Sequence, residues 1–294
     1  MHGLGADVDD SFVVQPPREQ APLASEPYDR WVLPGECVKA EFHRQADGFL
    51  LRFLGEADFV IDADCRRVTG WPVPGIAENH FHSLYCNAVL PLIGDHLGGL
   101  FLHGSAVSVG GRAVVFLGQS GDGKTTLAGA FAKAGHPYLT EDVIELVVGA
   151  GTYHLQPKAS GLRLFADSAA YLIGDDPEMA QGDEKIDVTD AVALPFQGTP
   201  APLAAIFVLG SDHDALLAIE RLHQHRAAQL LLPHSFVLDV DDKGRLRGHF
   251  GRIVGLACDV PCYSIDYLRD YAELPRLIEA VAAEVNKVGA RNDE

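Results

Sequence analysis

Arg112–Gly135 reads RAVVFLGQSGDGKTTLAGAFAKAG, and it decides how the chain around it is read. The apolar run AVVFL, preceded by a glycine pair and followed by Gly118, predicts a strand. Thr125–Ala134 predicts a helix, closed by Gly135. Between them, GQSGDGKT fits G-x-x-x-x-G-K-[ST] through Gly118, Gly123, Lys124 and Thr125. Such a loop wraps a phosphate in backbone N–H groups, which needs positive φ and no side chains in the way. The helix that follows turns its unsatisfied N–H groups and positive dipole end toward the same anion. Lys124 is placed to reach the β- and γ-phosphates, and the Thr125 hydroxyl to ligate Mg²⁺. The predicted nucleotide-binding residues are Gly118, Gln119, Ser120, Gly121, Asp122, Gly123, Lys124, Thr125 and Thr126.

Eighteen positions beyond Lys124 lies Asp142, in TEDVIEL. If this stretch is a parallel neighbour of the Ala113–Leu117 strand, Glu141 and Asp142 come close to the loop. One carboxylate would then hold Mg²⁺ while the other accepts a proton from an attacking hydroxyl. A solvated acidic strand end is the plainer alternative.

Strands and helices alternate through the rest of this region. LFLHGSAVSV and RAVVFLG read as the two strands of a hairpin, YLTEDVIELVV as one strand, and YHLQPKASGLRLF, LAAIFVLG and CYSIDYL as further strands. Helices are expected over HRAAQLLLPHSFV, GRLRGHFGRIVGLACDV and LPRLIEAVAAEVNKV. Upstream, Trp31–Thr69 breaks into short apolar runs with turns at ADG and GEAD, which predicts three or four antiparallel strands. A helix over AENHFHSLYCNAVLPLIGDHLG follows. The expected organisation is a disordered tail over 1–27, a small β-rich region with a linking helix over 28–98, an α/β domain over 99–285, and a flexible C-terminus over 286–294.

The 294 residues carry 41 acids against 23 bases, a formal charge of −18, with no basic block. Nucleic acid and anionic membranes are therefore poor partners, and a phosphate ligand has to be held by local geometry and a metal ion. No apolar run reaches the roughly 18–20 residues of a membrane helix. The opening residues show no basic region followed by an apolar core, so no secretory signal is expected. Five unclustered cysteines, with Cys258 and Cys262 the nearest pair, read as structural thiols in a reducing cytoplasm. His80 with His82, and His223, His225 and His234, lack a familiar ligand spacing; two apart on a helix, histidines do not share a face.

The stretch from LHGSAVSVGG to YLTEDVIEL, about 45 residues of the chain, resembles the core of the HPr kinase/phosphorylase family, which is related in fold to phosphoenolpyruvate carboxykinase. The matching pieces are His103–Gly104, the loop Gly118–Thr126, Gly135–His136 and Glu141–Asp142. The resemblance implies an α/β P-loop kinase core like the family's C-terminal domain, behind the smaller β-rich N-terminal part. It implies ATP and Mg²⁺ as cofactors, Glu141 as general base, Asp142 beside the metal with Thr125, and His103 beside the catalytic pocket with Lys124. The family's members form oligomers, so it also allows a homo-oligomer. The acid pair is Glu–Asp rather than Asp–Asp, and the family's glycine-rich Arg-Gly segment is missing after it. The chain is thus more similar to the stand-alone HPr kinase-like proteins of ribosomal peptide pathways, including lasso peptide clusters, some of which phosphorylate a precursor peptide. A serine of a peptide or small protein is the implied acceptor, with a small-molecule kinase and a nucleotide-binding regulatory module as rivals. Lys158, Arg163 and Lys185 are cations after the acid pair, Arg163 and Lys185 being weaker site candidates; Lys185 is a candidate contact for transferred phosphate or a substrate carboxylate, and Arg226, at a helix start, for phosphate.

Overall fold

A computed structural model describes residues 12–33, 35–158, 163–164, 166–173, 186–187 and 194–292. They form two compact units. The first takes the described residues up to Gly99 together with Phe236–Gly248, and the second takes Leu100–Ser235 with those from His249 onward. The first unit thus gathers a late segment that the expected 28–98 boundary leaves out.

In the first unit β1 (Phe12–Val14), β2 (Asp29–Leu33), β3 (Cys37–Gln45), β4 (Gly48–Phe53), β5 (Ala57–Asp62) and β6 (Val68–Pro72) make one sheet, in the order β1-β6-β5-β4-β3-β2. Pairing is antiparallel from β2 to β6, as the short runs and tight turns predict. Phe42, Leu51, Phe53, Phe59 and Ile61 are fully buried. Helix α1 (Glu78–Leu84) lays Phe81 flat on Phe59, ring centroids 5.1 Å apart. It continues through a π-helical turn (Tyr85–Val89) into α2 (Leu90–His96).

The expected disordered tail over 1–27 is corrected by its described part. Phe12–Val14 pairs parallel with β6, and the Phe12 ring stacks on Tyr85 at 3.7 Å. Gln20 donates to the carbonyls of Phe53 and Ala57 and accepts from the Gly55 N–H. Arg18 lies over the Trp71 ring at 4.0 Å. A single aromatic and isolated polar anchors give no periodicity, so the sequence pattern passes over them.

The second unit begins with β7 (Leu100–His103), β8 (Ser105–Val109), β9 (Arg112–Leu117), α3 (Lys124–Lys133), β10 (Tyr138–Thr140), β11 (Val143–Gly149) and β12 (Thr152–Gln156). It continues with β13 (Arg163–Leu164), α4 (Ala166–Ile173), β14 (Ile186–Asp187), β15 (Ala201–Leu209), β16 (Ala218–Arg221) and α5 (Gln224–Leu231). Then come α6 (Lys243–Asp259), whose first residues belong to the first unit, β17 (Cys262–Asp266) and α7 (Leu274–Asn292). A nine-stranded sheet runs β10-β8-β9-β15-β12-β11-β7, and β17 pairs with both β15 and β16. One apolar cluster joins β9 and β15 to α3 and α7 through Phe116, Phe131, Phe207 and Val281. A second joins the sheet to α5 and α6 through Ile206, Leu231, Ile253 and Leu256. Among the described residues no helix is long and apolar enough to cross a membrane. Helix α7 runs to Asn292, so the expected flexible end over 286–294 is helical in its described part.

Two expected continuous strands are broken. LFLHGSAVSV divides at Gly104 into β7 and β8, and YLTEDVIELVV divides at Glu141–Asp142 into β10 and β11. Each half pairs antiparallel with its counterpart, β8 with β10 and β7 with β11. The Gly104 N–H donates to the Asp142 carbonyl at 3.2 Å, which ties the two breaks together. A Cβ at Gly104 would stand 2.6 Å from the Phe116 carbonyl oxygen, so only glycine lets the chain pass so close to β9.

Candidate active site

Strands β9, β15 and β17 run parallel, with Leu117 opposite Val208 and Leu209 opposite Ile265. Their carboxyl ends therefore share one sheet edge, where ligands of open α/β sheets bind. The loop Gly118–Gly123 leaves β9 at that edge and enters α3 through Gly121 and Gly123, at φ of 94° and 87°. A side chain at either would be strained. Lys124, 8% exposed, curls over the loop and donates to the carbonyls of Gly118 and Gln119, both at 2.8 Å. Asp122 pins the loop from within by accepting from the Gln119 N–H at 2.5 Å. Its other oxygen lies 3.6 Å from His213 Nε2.

A cavity of about 320 Å³ opens over this loop, floored by Ser120, Gly121, Gly123, Lys124, Thr125 and Thr126. His103 and Asp142 line one side. The acid pair reaches it by a route other than the expected parallel strand. It sits at the break between β10 and β11, which pair antiparallel with β8 and β7 and are not neighbours of β9. The Thr140 hydroxyl donates to the Val143 carbonyl at 2.8 Å and holds the turn, with Asp142 at φ 65°. The two carboxylates then part. Glu141 is 1% exposed and accepts the Thr125 hydroxyl at 2.5 Å, whereas Asp142 faces the cavity.

Much of the remaining lining comes from residues that no motif marks. Thr126 and Ser168 hydroxyl oxygens are 2.8 Å apart, Ser168 and Tyr271 3.1 Å, and the Tyr271 hydroxyl donates to Asp167 at 2.9 Å. Arg269 lies over the Tyr267 ring at 3.8 Å and donates to the Gly210 carbonyl at 2.8 Å. Burial raises the Tyr267 phenol above its ordinary value, so it stays a neutral donor and acceptor. His213, Tyr267 and Arg269 follow β15 and β17, far from the loop in sequence; only the parallel strand order could point to them.

Of the weaker candidates, Arg226 is exposed on α5 beside Gln229, at 3.5 Å, and does not line the cavity. Arg163 lies on β13, beside the cavity-lining Leu164. Lys185 lies outside the described residues. His223 and His225 do meet, ring nitrogens 3.0 Å apart, because His223 is extended ahead of α5 rather than helical. Among the described residues no group of three or more His, Cys, Asp or Glu side chains is arranged to hold a metal.

No protein-family model and no curated protein matches the chain. Among solved structures, one similar chain is described as the Hpr(Ser) kinase/phosphatase from Coxiella burnetii. The two are 13% identical, the match covers 66% of this chain and 92% of that one, and the TM-score is 0.34. So low an identity and score decide neither the fold nor the activity of this chain.

Proposed function

We propose that this chain is a kinase that moves the γ-phosphoryl group of MgATP to a hydroxyl. The observation that carries the reading is the meeting, in one cavity, of the Lys124–Thr125 helix start and the Glu141–Asp142 turn. Lys124 gives up the Gly118 and Gln119 carbonyls for phosphate oxygens, while the N–H groups of the loop and of the first turn of α3 surround them. The Thr125 hydroxyl and the Glu141 carboxylate would hold Mg²⁺, which prefers such oxygen ligands. When bound, Mg²⁺ neutralises charge on the β- and γ-phosphates. Tyr267, Arg269 and Tyr271 offer ring faces and polar edges to the rest of the nucleotide.

The acceptor hydroxyl enters beside Asp142 and His103. Here the geometry favours the reverse of the roles implied by the family resemblance. Asp142, open to the cavity, takes the proton from the acceptor oxygen as that oxygen bonds to phosphorus and the bond to the leaving phosphate breaks. Glu141, buried on Thr125, serves the metal side. The acceptor is a serine of a peptide or small protein on the strength of the sequence resemblance.

The paired amide variants test this. Asp142→Asn should bind MgATP normally and lose turnover by roughly the 10²–10⁴-fold of general-base removal. Glu141→Gln should need more magnesium for half-maximal rate. Magnesium titrations that rescue Asp142→Asn but not Glu141→Gln would restore the order implied by the resemblance. Mass spectrometry of candidate peptides incubated with MgATP tests the acceptor. Nucleotide binding with no phosphorylated product from any acceptor tried would point to a regulatory nucleotide-binding module.

A further inference from the structure

His234 ends a single 3-10 turn, Leu232–His234, that closes α5. The next residue, Ser235, bridges antiparallel to Leu102 of β7. His103 and His234 flank this bridge, one on each segment, so the two backbones bring them close together. On its other edge β7 pairs His103 with Val143, next to Asp142. His234, His103 and the acid turn thus lie on three neighbouring backbone segments.

The turn is anchored. The Ser235 hydroxyl donates to the Leu232 carbonyl at 2.7 Å and lies 2.9 Å from His249 Nε2. His234 itself is partly buried, and its surroundings are those of the site. Burial first, then the nearby charges of Lys124 and His103, lower its pKa to about 4. Near neutral pH the ring is therefore uncharged, with one N–H donor and one acceptor nitrogen. It adds no second cation beside Lys124, and it can hydrogen-bond in either direction. A metal-ligand role finds no third ligand among the described residues.

We propose that His234 is a positioning residue of the cavity, fixing from the neighbouring backbone segment the orientation in which His103 faces the acceptor side. Its catalytic consequence rests on the kinase reading above; the orienting contact does not. Fixing the His103 ring costs the free protein side-chain entropy once, so the acceptor meets an ordered wall.

Nitrogen–proton correlation spectra of the imidazoles in the free protein test the contact, with His103→Gln identifying the His103 signals. His234→Phe, which keeps a ring but loses both nitrogens, should move the His103 signals. His234→Gln, which keeps a donor and an acceptor, should return them toward the wild-type positions. In the same variants MgATP affinity should be unchanged, while turnover falls roughly 10- to 100-fold for the Phe variant and recovers in part for the Gln variant. If His234→Phe fails to fold, His234→Asn and His234→Gln against wild type carry the same comparison. His103 signals that stay in place in the folded variants overturn the proposal. Signals that move in a protein showing no transfer support the contact while sinking the kinase reading.

Discussion

Asp142 holds a φ of 65°, a conformation that costs most residues about 1–2 kcal/mol and that Asp and Asn tolerate best. Asp142→Asn should therefore leave stability nearly unchanged, while Asp142→Ala loses about 1 kcal/mol in urea unfolding. That separation makes the Asn variant the clean probe of chemistry. At Lys124 the expectation is simpler. Lys124→Ala removes the cation that the loop holds ready, so MgATP affinity and turnover should both collapse; near-normal turnover would show that the loop is not the transfer site. Lys124 and Thr125 are legible in the sequence because consecutive residues set the spacing of the loop. The proposed division of labour between Glu141 and Asp142 is not legible, because it rests on which way each side chain leaves a turn.

Strand boundaries show the same division. The apolar runs around His103 and Glu141 satisfy a strand pattern throughout, so periodicity alone joins β7 to β8 and β10 to β11. The breaks come from a long-range contact, the Gly104 N–H on the Asp142 carbonyl, with β9 crowding Gly104. At the other end of the chain, β1 is three residues long and is held by partners from β6 and α1. Phe12→Ala should lower stability by about 2 kcal/mol, below the ~3–5 of a fully buried Phe, because Phe12 is only partly buried. Urea unfolding measures it, and an unchanged midpoint would show that β1 is dispensable.

Across the molecule, the late segment Phe236–Gly248 belongs to the first unit, held by Arg44 on Asp239 and by the Tyr28 hydroxyl on the Leu238 carbonyl. The hydrogen bond from Arg44 lowers the Asp239 carboxyl from its ordinary 3.8 to about 2. A carboxyl depressed by folding stabilises the fold above its unfolded value, and that contribution is lost as pH falls from about 4 to about 2. Arg44→Gln should weaken this acid dependence in unfolding followed between those pH values; an unaltered profile would remove the pair from the stability of the unit. The phosphate-loop pattern and the strand-then-helix alternation can be read along the chain, because each depends on neighbours within about a dozen residues. Which strands neighbour β9, that residues after β15 and β17 wall the cavity, and that Ser235 pairs with Leu102 were decided by tertiary pairing. Such pairing is fixed by the burial of apolar faces between segments far apart in sequence, and local spacing carries no record of it.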